Sequence, residues 1–139
     1  MSYLYLRYVD PNSKADIDVL FKLLAERTPA QSISHTKMPT YGQHSRFVKS
    51  NPYKAWYLIG VDEGNGPAIA GSTYLTEDNE LGIFIFRNYH GKGYASRALE
   101  DIMTRYDGPF LANINPSNEA SKKLFEKLGF KFIQVTYAK

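Results

Sequence analysis

No stretch of this chain limits its fold and chemistry more than residues 80–105. A β-prone run (residues 80–86) ends in Arg87-Asn88-Tyr89-His90-Gly91-Lys92-Gly93. A helix begins immediately afterwards, with Ala95, Ala98, Leu99, Ile102 and Met103 on one face. Glycines at 91 and 93 open backbone angles closed to other residues and let a ligand approach the main chain. A helix start leaves N–H groups without partners and carries a partial positive charge. The junction therefore suits an anion, with pyrophosphate the natural guest. Arg87, His90 and Lys92 can add positive charge around it. Two familiar phosphate motifs do not fit. A dinucleotide fingerprint needs a third glycine and an acid about 20 residues on, whereas Ser96 stands here and Asp107 comes too early. A P-loop needs Gly-x-x-x-x-Gly-Lys-Ser/Thr, which is absent. Gly-x-Gly alone also fits a plain strand-to-helix turn, so its context has to decide.

That context is an α/β alternation. Residues 3–9 read as a strand, Pro11-Asn12-Ser13 as turn and helix cap, and Ile17, Leu20, Phe21 and Leu24 as the apolar face of a first helix. Residues 27–38 lack periodicity and read as a long loop, a length that often serves a ligand. A second helix runs from Pro39-Thr40 to Ser50, with Tyr41, His44, Phe47 and Val48 on one face. Residues 55–61 and 68–75 form a hairpin across Glu63-Gly64-Asn65-Gly66-Pro67, and residues 80–86 return antiparallel. Past the glycine-rich segment and its helix come a strand at 110–115, a helix at 118–128 stopped by Gly129, and a last strand at 130–135. The order β-α-α-β-β-β-α-β-α-β implies a mixed sheet with helices on both faces.

Composition narrows the function classes. At 139 residues, with 43% apolar and 22% charged residues, the chain suits one soluble domain spanning residues 1–139. It has no cysteine, which removes disulfides, thiolate metal sites and a cysteine nucleophile, and no metal site is expected. Met1 to Arg7 turn polar too soon for a signal peptide and no apolar run is long enough to cross a bilayer, so a cytoplasmic location is expected. A net charge of +3 suits an anionic ligand. The aromatics scatter along strands at core-like spacing instead of forming a basic-aromatic stripe, which speaks against nucleic acid.

Arg87-x-x-x-Gly91-x-Gly93-x-Ala95 after a strand resembles the acetyl-CoA signature of the GNAT N-acetyltransferases. Asn115-Pro-Ser-Asn118-Glu-Ala-Ser121-Lys-Lys-Leu124-Phe125-Glu-Lys-Leu-Gly129-Phe130 resembles that family's second signature, the helix walling the cofactor's other side. The element order fits along nearly the whole chain. The resemblance implies acetyl-CoA as cofactor, with main-chain groups of Phe84, Ile85 and Phe86 holding the pantetheine arm and amides from His90 through Tyr94 to Ala95 holding the pyrophosphate. It places Asn118 on the cofactor and Phe125 near the thioester. From the residues alone, Phe84 and Phe86 also read as core and Asn118 as a helix cap.

Acetyl transfer to an alkylamine needs a deprotonated amine, and such amines hold their proton up to about pH 10.4. Glu80 stands where many family members carry a strand carboxylate that takes this proton; it equally fits a solvated strand start. A backbone N–H near Phe84 or Ile85 would steady the carbonyl oxygen. The family's usual acid is a tyrosine at the position of Phe125, so that role is vacant here and falls to water, Tyr74 or Tyr94. The thiolate is a good leaving group without help, because a thiol has a pKa of about 8.5.

The acceptor is expected between the first two helices and the open end of the central strands, with His35, Tyr41, Tyr74, Asn113 and Asn115 as candidate contacts. His44 fits either a substrate contact or packing beside Tyr41 and Phe47. Asn113 and Asn115 share one strand face and suit substrate hydroxyls or backbone. The pattern Ile33-Ser34-x-x-x-Met38-Pro39-Thr40-x-x-x-His44-x-x-Phe47-Val48 is similar to GNATs acting on amino-sugar nucleotides, and it also occurs in members acting on protein N-termini and polyamines. A protein acetyltransferase and a non-catalytic acyl-CoA-binding module are the alternatives to a small-molecule enzyme. The family usually ends in a two-stranded hairpin, and only residues 131–138 follow the last helix here. Either the last strand pairs beside residues 110–115 or a partner fills the gap, as in a homodimer.

Overall fold

The computed structural model describes residues 2–27 and 38–139. Five strands form one sheet in chain order: β1 (Tyr3–Tyr8), β2 (Ala55–Asp62), β3 (Pro67–Leu75), β4 (Glu80–Ile85) and β5 (Leu111–Ala112). The first four are antiparallel and β5 runs parallel to β4. A parallel neighbour needs a crossover, and the helix α3 (Tyr94–Arg105) supplies it.

Side chains alternate across the sheet and divide the core in two. On one face Leu58 packs with Ile17 and Leu20 of α1 (Lys14–Ala25) and Val48 of α2 (Tyr41–Lys49). On the other face Tyr57, Leu75 and Leu81 pack with Leu99 and Ile102 of α3 and Phe125 of α4 (Glu119–Lys127), while Ile59 and Val61 meet Tyr94 and Ala98. The mixed sheet with helices on both faces is the architecture expected from sequence. Of the long loop expected over residues 27–38, residues 28–37 lie outside the described residues.

Local chemistry sets the ends of the elements. Ser13 caps α1, its Oγ accepting from the Asp16 N–H at 3.3 Å. Thr40 and Gln43 form a reciprocal capping box on α2. At the β3–β4 turn Asn79 takes φ 62°, a conformation asparagine tolerates, and its Nδ2 donates to the carbonyls of Asp107 and Pro109, each at 3.0 Å. Its own carbonyl accepts from the Leu111 N–H at 2.9 Å. One residue thus joins the start of β4 to the start of β5.

Two expectations need correction. The strand placed at 110–115 contracts to Leu111–Ala112, because the chain turns at Asn115-Pro116-Ser117, where Asn115 Oδ1 accepts from the Ser117 N–H at 3.0 Å. Residues 113 and 115 therefore do not share a strand face. The last strand at 130–135 does not form: residues 130–139 carry no strand, and Phe132 and Ile133 are exposed. A strand needs a ladder to join, and a two-residue β5 offers almost none.

Asp16 holds β1 against α1. Its carboxylate accepts from Arg7 Nη1 and Nη2 at 3.1 and 3.0 Å and from the Asp10 N–H at 2.8 Å. Burial alone would raise its pKa, but the Arg7 hydrogen bonds, the Asp10 amide and the Arg7 charge outweigh it and hold the carboxyl below the usual range. A depressed carboxylate pKa stabilises the fold above the unfolded-state value and loses that effect as pH falls through the folded one. Replacing Asp16→Asn should cost about 1–2 kcal/mol at pH 7, discounted for the half-exposed Arg7. Urea unfolding of both proteins should show the gap closing as pH falls below about 4.

Candidate active site

Strand β4 separates two halves of the site. Its ladder to β5 consists of Glu80 opposite Leu111 and Leu81 opposite Ala112, after which the strands part. On its other edge β4 is paired to β3 as far as Ile85. The Phe86 N–H donates to Ala70 at 2.8 Å, and main-chain direction alternates along an antiparallel strand. Phe84, in register with Ser72, therefore also turns its main chain toward β3, whereas Ile83 and Ile85 turn theirs toward the gap beside β5. Sequence reasoning named Phe84, Ile85 and Phe86 for main-chain contacts. Only Ile85 of these faces the gap, and Ile83, which was missed, joins it. Counting by twos back from Ile85 reaches it.

Beyond β4 a single 3-10 turn, Arg87–Tyr89, leads to the glycines. Gly91 and Gly93 have φ of 77° and 79°, and a Cβ built on either meets no atom within 4 Å. The main chain here is open to an approaching group. Gly93 caps α3 without a side chain to fill its N–H groups. The first helical bond comes from the Arg97 N–H to Gly93 at 3.2 Å, so the N–H groups of Tyr94, Ala95 and Ser96 precede the helix ladder. An open cradle of amides at a helix start fits a pyrophosphate.

The cations expected to line this cradle bind elsewhere on the protein. Arg87 Nη2 donates to the Glu26 carbonyl at 3.2 Å, and the Arg87 N–H donates to Glu26 Oε1 at 2.8 Å. The His90 ring donates through Nε2 to the Ile85 carbonyl at 2.8 Å. Lys92 pairs with Glu63 at 2.8 Å, which raises the lysine and lowers the carboxyl, and the same carboxylate accepts from the Tyr94 hydroxyl. Tyr94 is otherwise buried against Ile59 and Val61.

On the opposite face of β4, Glu80, Gly82 and Phe84 point toward α1 and α2 by the same alternation. Glu80 accepts from Asn113 Nδ2 and from Thr76 Oγ1, the latter at 3.5 Å. The Tyr74 ring lies across Gly82, where a Cβ would come within 2.1 Å of its Cζ. Tyr53 stacks on Tyr74 at 4.0 Å with the planes 3° apart, and Trp56 meets Tyr53 edge-on. These rings, with Phe47, His44, Arg27 and the side chains of α1, line a cavity of about 300 Å³. Burial pushes Tyr53 and Tyr74 up, and the Glu80 charge adds to the rise at Tyr74, so both keep their protons at neutral pH. Burial pulls His44 down. Its ring donates through Nε2 to the Ile17 carbonyl at 3.0 Å, tying α2 to α1.

The remaining candidates are spread out. Tyr41 donates to Asp18 on α1 at 2.6 Å at the surface. Asn115 braces its turn, and Asn118 caps α4 by accepting from the Ser121 N–H at 3.1 Å. Phe125 is buried in the core against Phe130. His35 lies outside the described residues. Tyr53, Trp56, Phe47 and Arg27 went unnamed as contacts. The aromatic run from Phe47 to Trp56 carried a signal, but nothing local marked Arg27.

The chain matches the acetyltransferase (GNAT) domain family over residues 4–131. None of the curated proteins compared with it matches. Among solved structures, a domain from Methanocaldococcus jannaschii is similar at 22% identity and TM-score 0.79, covering 94% of this chain and 90% of that one. The protein yncA from Salmonella typhimurium, solved with its cofactor acetyl-CoA, is 16% identical with TM-score 0.66, covering 92% and 79%. RimL, a ribosomal L7/L12 alpha-N-protein acetyltransferase in complex with coenzyme A, is 19% identical with TM-score 0.71, covering 89% and 77%. Identities this low carry the fold alone, whereas the family match takes in the strand, the glycine cradle and the helix that follows it. By that match the chain belongs to the acetyltransferase (GNAT) domain family, the acetyl-CoA-dependent N-acetyltransferases.

Proposed function

We propose that this protein transfers an acetyl group from acetyl-CoA to the primary amine of a small molecule, by direct attack with both substrates bound. The observation that carries the proposal is that β4 has two usable sides. Its gap-facing main chain leads to the glycine cradle, and on its α1/α2 face Phe84 lines the aromatic cavity. The cofactor would lie along Ile83 and Ile85 with its pyrophosphate at the amides of residues 91–96, and the acceptor would enter the cavity. A cavity of about 300 Å³ is at the small end of small-molecule sites, which favours a compact amine. An amino-sugar nucleotide, entering the cavity by its sugar end alone, is the narrower form of this reading, supported by the pattern beginning at Ile33.

In this reading Glu80 accepts the amine proton, directly or through water, and Asn113 and Thr76 fix its carboxylate. The Ile85 N–H faces the gap and would steady the thioester oxygen. Tyr74, still protonated beside the cavity, is the acid that replaces the hydroxyl missing at Phe125. The exposed Phe132, Ile133, Val135 and Tyr137, together with a β5 of only two residues, support a homodimer. The described residues contain no helix long and apolar enough to cross a membrane.

Two measurements test the proposal. Replacing Gly91→Asp keeps a residue tolerant of positive φ but sets a negative charge in the cradle. Coenzyme A affinity by calorimetry should fall about 10-fold or more with the melting temperature little changed; equal affinity would remove the cradle from cofactor binding. Replacing Glu80→Gln should lower kcat about 100-fold near pH 7 with coenzyme A affinity unchanged. The deficit should shrink at high pH, where more of the amine is already deprotonated. A parallel pH profile in both proteins would take Glu80 out of the mechanism.

A further inference from the structure

Arg27 sits in the wall of the aromatic cavity with its Cζ 3.6 Å from the centre of the Phe84 ring. Its Nε is buried and, among the described residues, has no hydrogen-bond partner. Among the described residues no aspartate or glutamate lines the cavity, and the electrostatic neighbours of the guanidinium there are the hydroxyls of Tyr53 and Tyr74. Removing a guanidinium from water is costly, and an aromatic face returns only part of that cost. Buried cations in proteins are normally met by an acid. Here no acid is present among the described residues of a mostly apolar and aromatic wall.

The same residues offer no acid to pair with a cationic tail. His44, the other basic side chain among the described residues of the lining, is neutral and committed to the Ile17 carbonyl. Gln43 and Ser72 add polarity without charge, and Ser72 is already engaged by Trp56 Nε1 and the Tyr57 carbonyl. A second ammonium, as in a polyamine, would meet one positive charge and no negative one. A guanidinium has a planar fork of donors that matches a carboxylate or a phosphate in two parallel bonds.

We propose that the acceptor is an amine that also carries an anionic group, a carboxylate or a phosphate, and that Arg27 is the specificity residue that binds this anion while Tyr53, Tyr74 and Trp56 enclose the apolar body. This rests on the reading of the cavity as the acceptor site. An acceptor bound this way approaches β4 with its anion over Phe84 and leaves its amine free to reach the Glu80 end of the same strand face.

The test uses binding probes that cannot be acetylated, so it stands apart from catalysis. In the presence of coenzyme A, 3-phenylpropionate and phenyl phosphate are compared with neutral 3-phenylpropanol by calorimetry on wild type, Arg27→Gln and Arg27→Lys. Wild type should bind at least one anion about 10-fold or more tightly than the alcohol, and the preferred anion tells carboxylate from phosphate. Arg27→Gln should lose the preference while binding the alcohol and coenzyme A as before, and Arg27→Lys should keep part of it, which guards against a folding defect. Equal binding of anions and alcohol by wild type, or a preference that survives in Arg27→Gln, overturns the inference. Acetyl transfer to neutral amines alongside equal probe binding would sink this inference and leave the enzyme reading standing. Anion preference without turnover on any amine would do the reverse.

Discussion

Asn79 fastens β4 to β5 at one end only. Its positive φ turns the chain into β4, its side-chain amide holds the carbonyls of Asp107 and Pro109, and its own carbonyl receives the Leu111 N–H. Past this clasp the two strands share two registered pairs before Asn115-Pro116-Ser117 draws the chain away. Polar main-chain groups left unpaired inside a fold are costly, so an open edge in the middle of a sheet marks a place where something else binds. The gap, the exposed face of the glycine turn and the start of α3 lie along the path of the chain that leaves it.

Electrostatics at the site run against first impressions. Arg87, His90 and Lys92 look in sequence like a ring of charge for phosphate, yet each is spent on the protein itself. Arg87 ties the loop to the end of α1, His90 secures the carbonyl of Ile85, and Lys92 with Tyr94 holds Glu63 of the β2–β3 turn. Their work is to fix the cradle's shape. The amides at the start of α3 are then left without a capping side chain, a geometry that suits an anion. Across β4, Arg27 is the reverse case: a half-buried cation that sequence gives no reason to notice, its Nε buried with no partner among the described residues.

Most of the architecture was legible because it follows from local rules. Period-two runs gave the first four strands, Ser13 and Thr40 marked helix starts, and the glycines at 91 and 93 announced a strand-to-helix turn. The misreadings came where a strand depends on its neighbour. Residues 130–135 have a β-prone composition but no ladder to join, and residues 113–115 leave β5 for a turn. Asn118 carried a plain structural reading beside the functional one, and the structure shows that plain role, a helix cap, while Phe125 is a core ring.

The amino-acid sequence by itself determined the family, the order of elements through α4 and the open glycine turn before α3, because caps, turns and hydrophobic period act over a few residues. Only the tertiary structure decided which β4 main-chain groups face the gap, which cations are already spent, and that Arg27, Tyr53, Trp56 and Tyr74 share one cavity. Those outcomes depend on strand register and on side chains far apart in the chain, between Arg27 and Phe84 most of all. Contacts of that range are chosen by packing, and no local pattern records them.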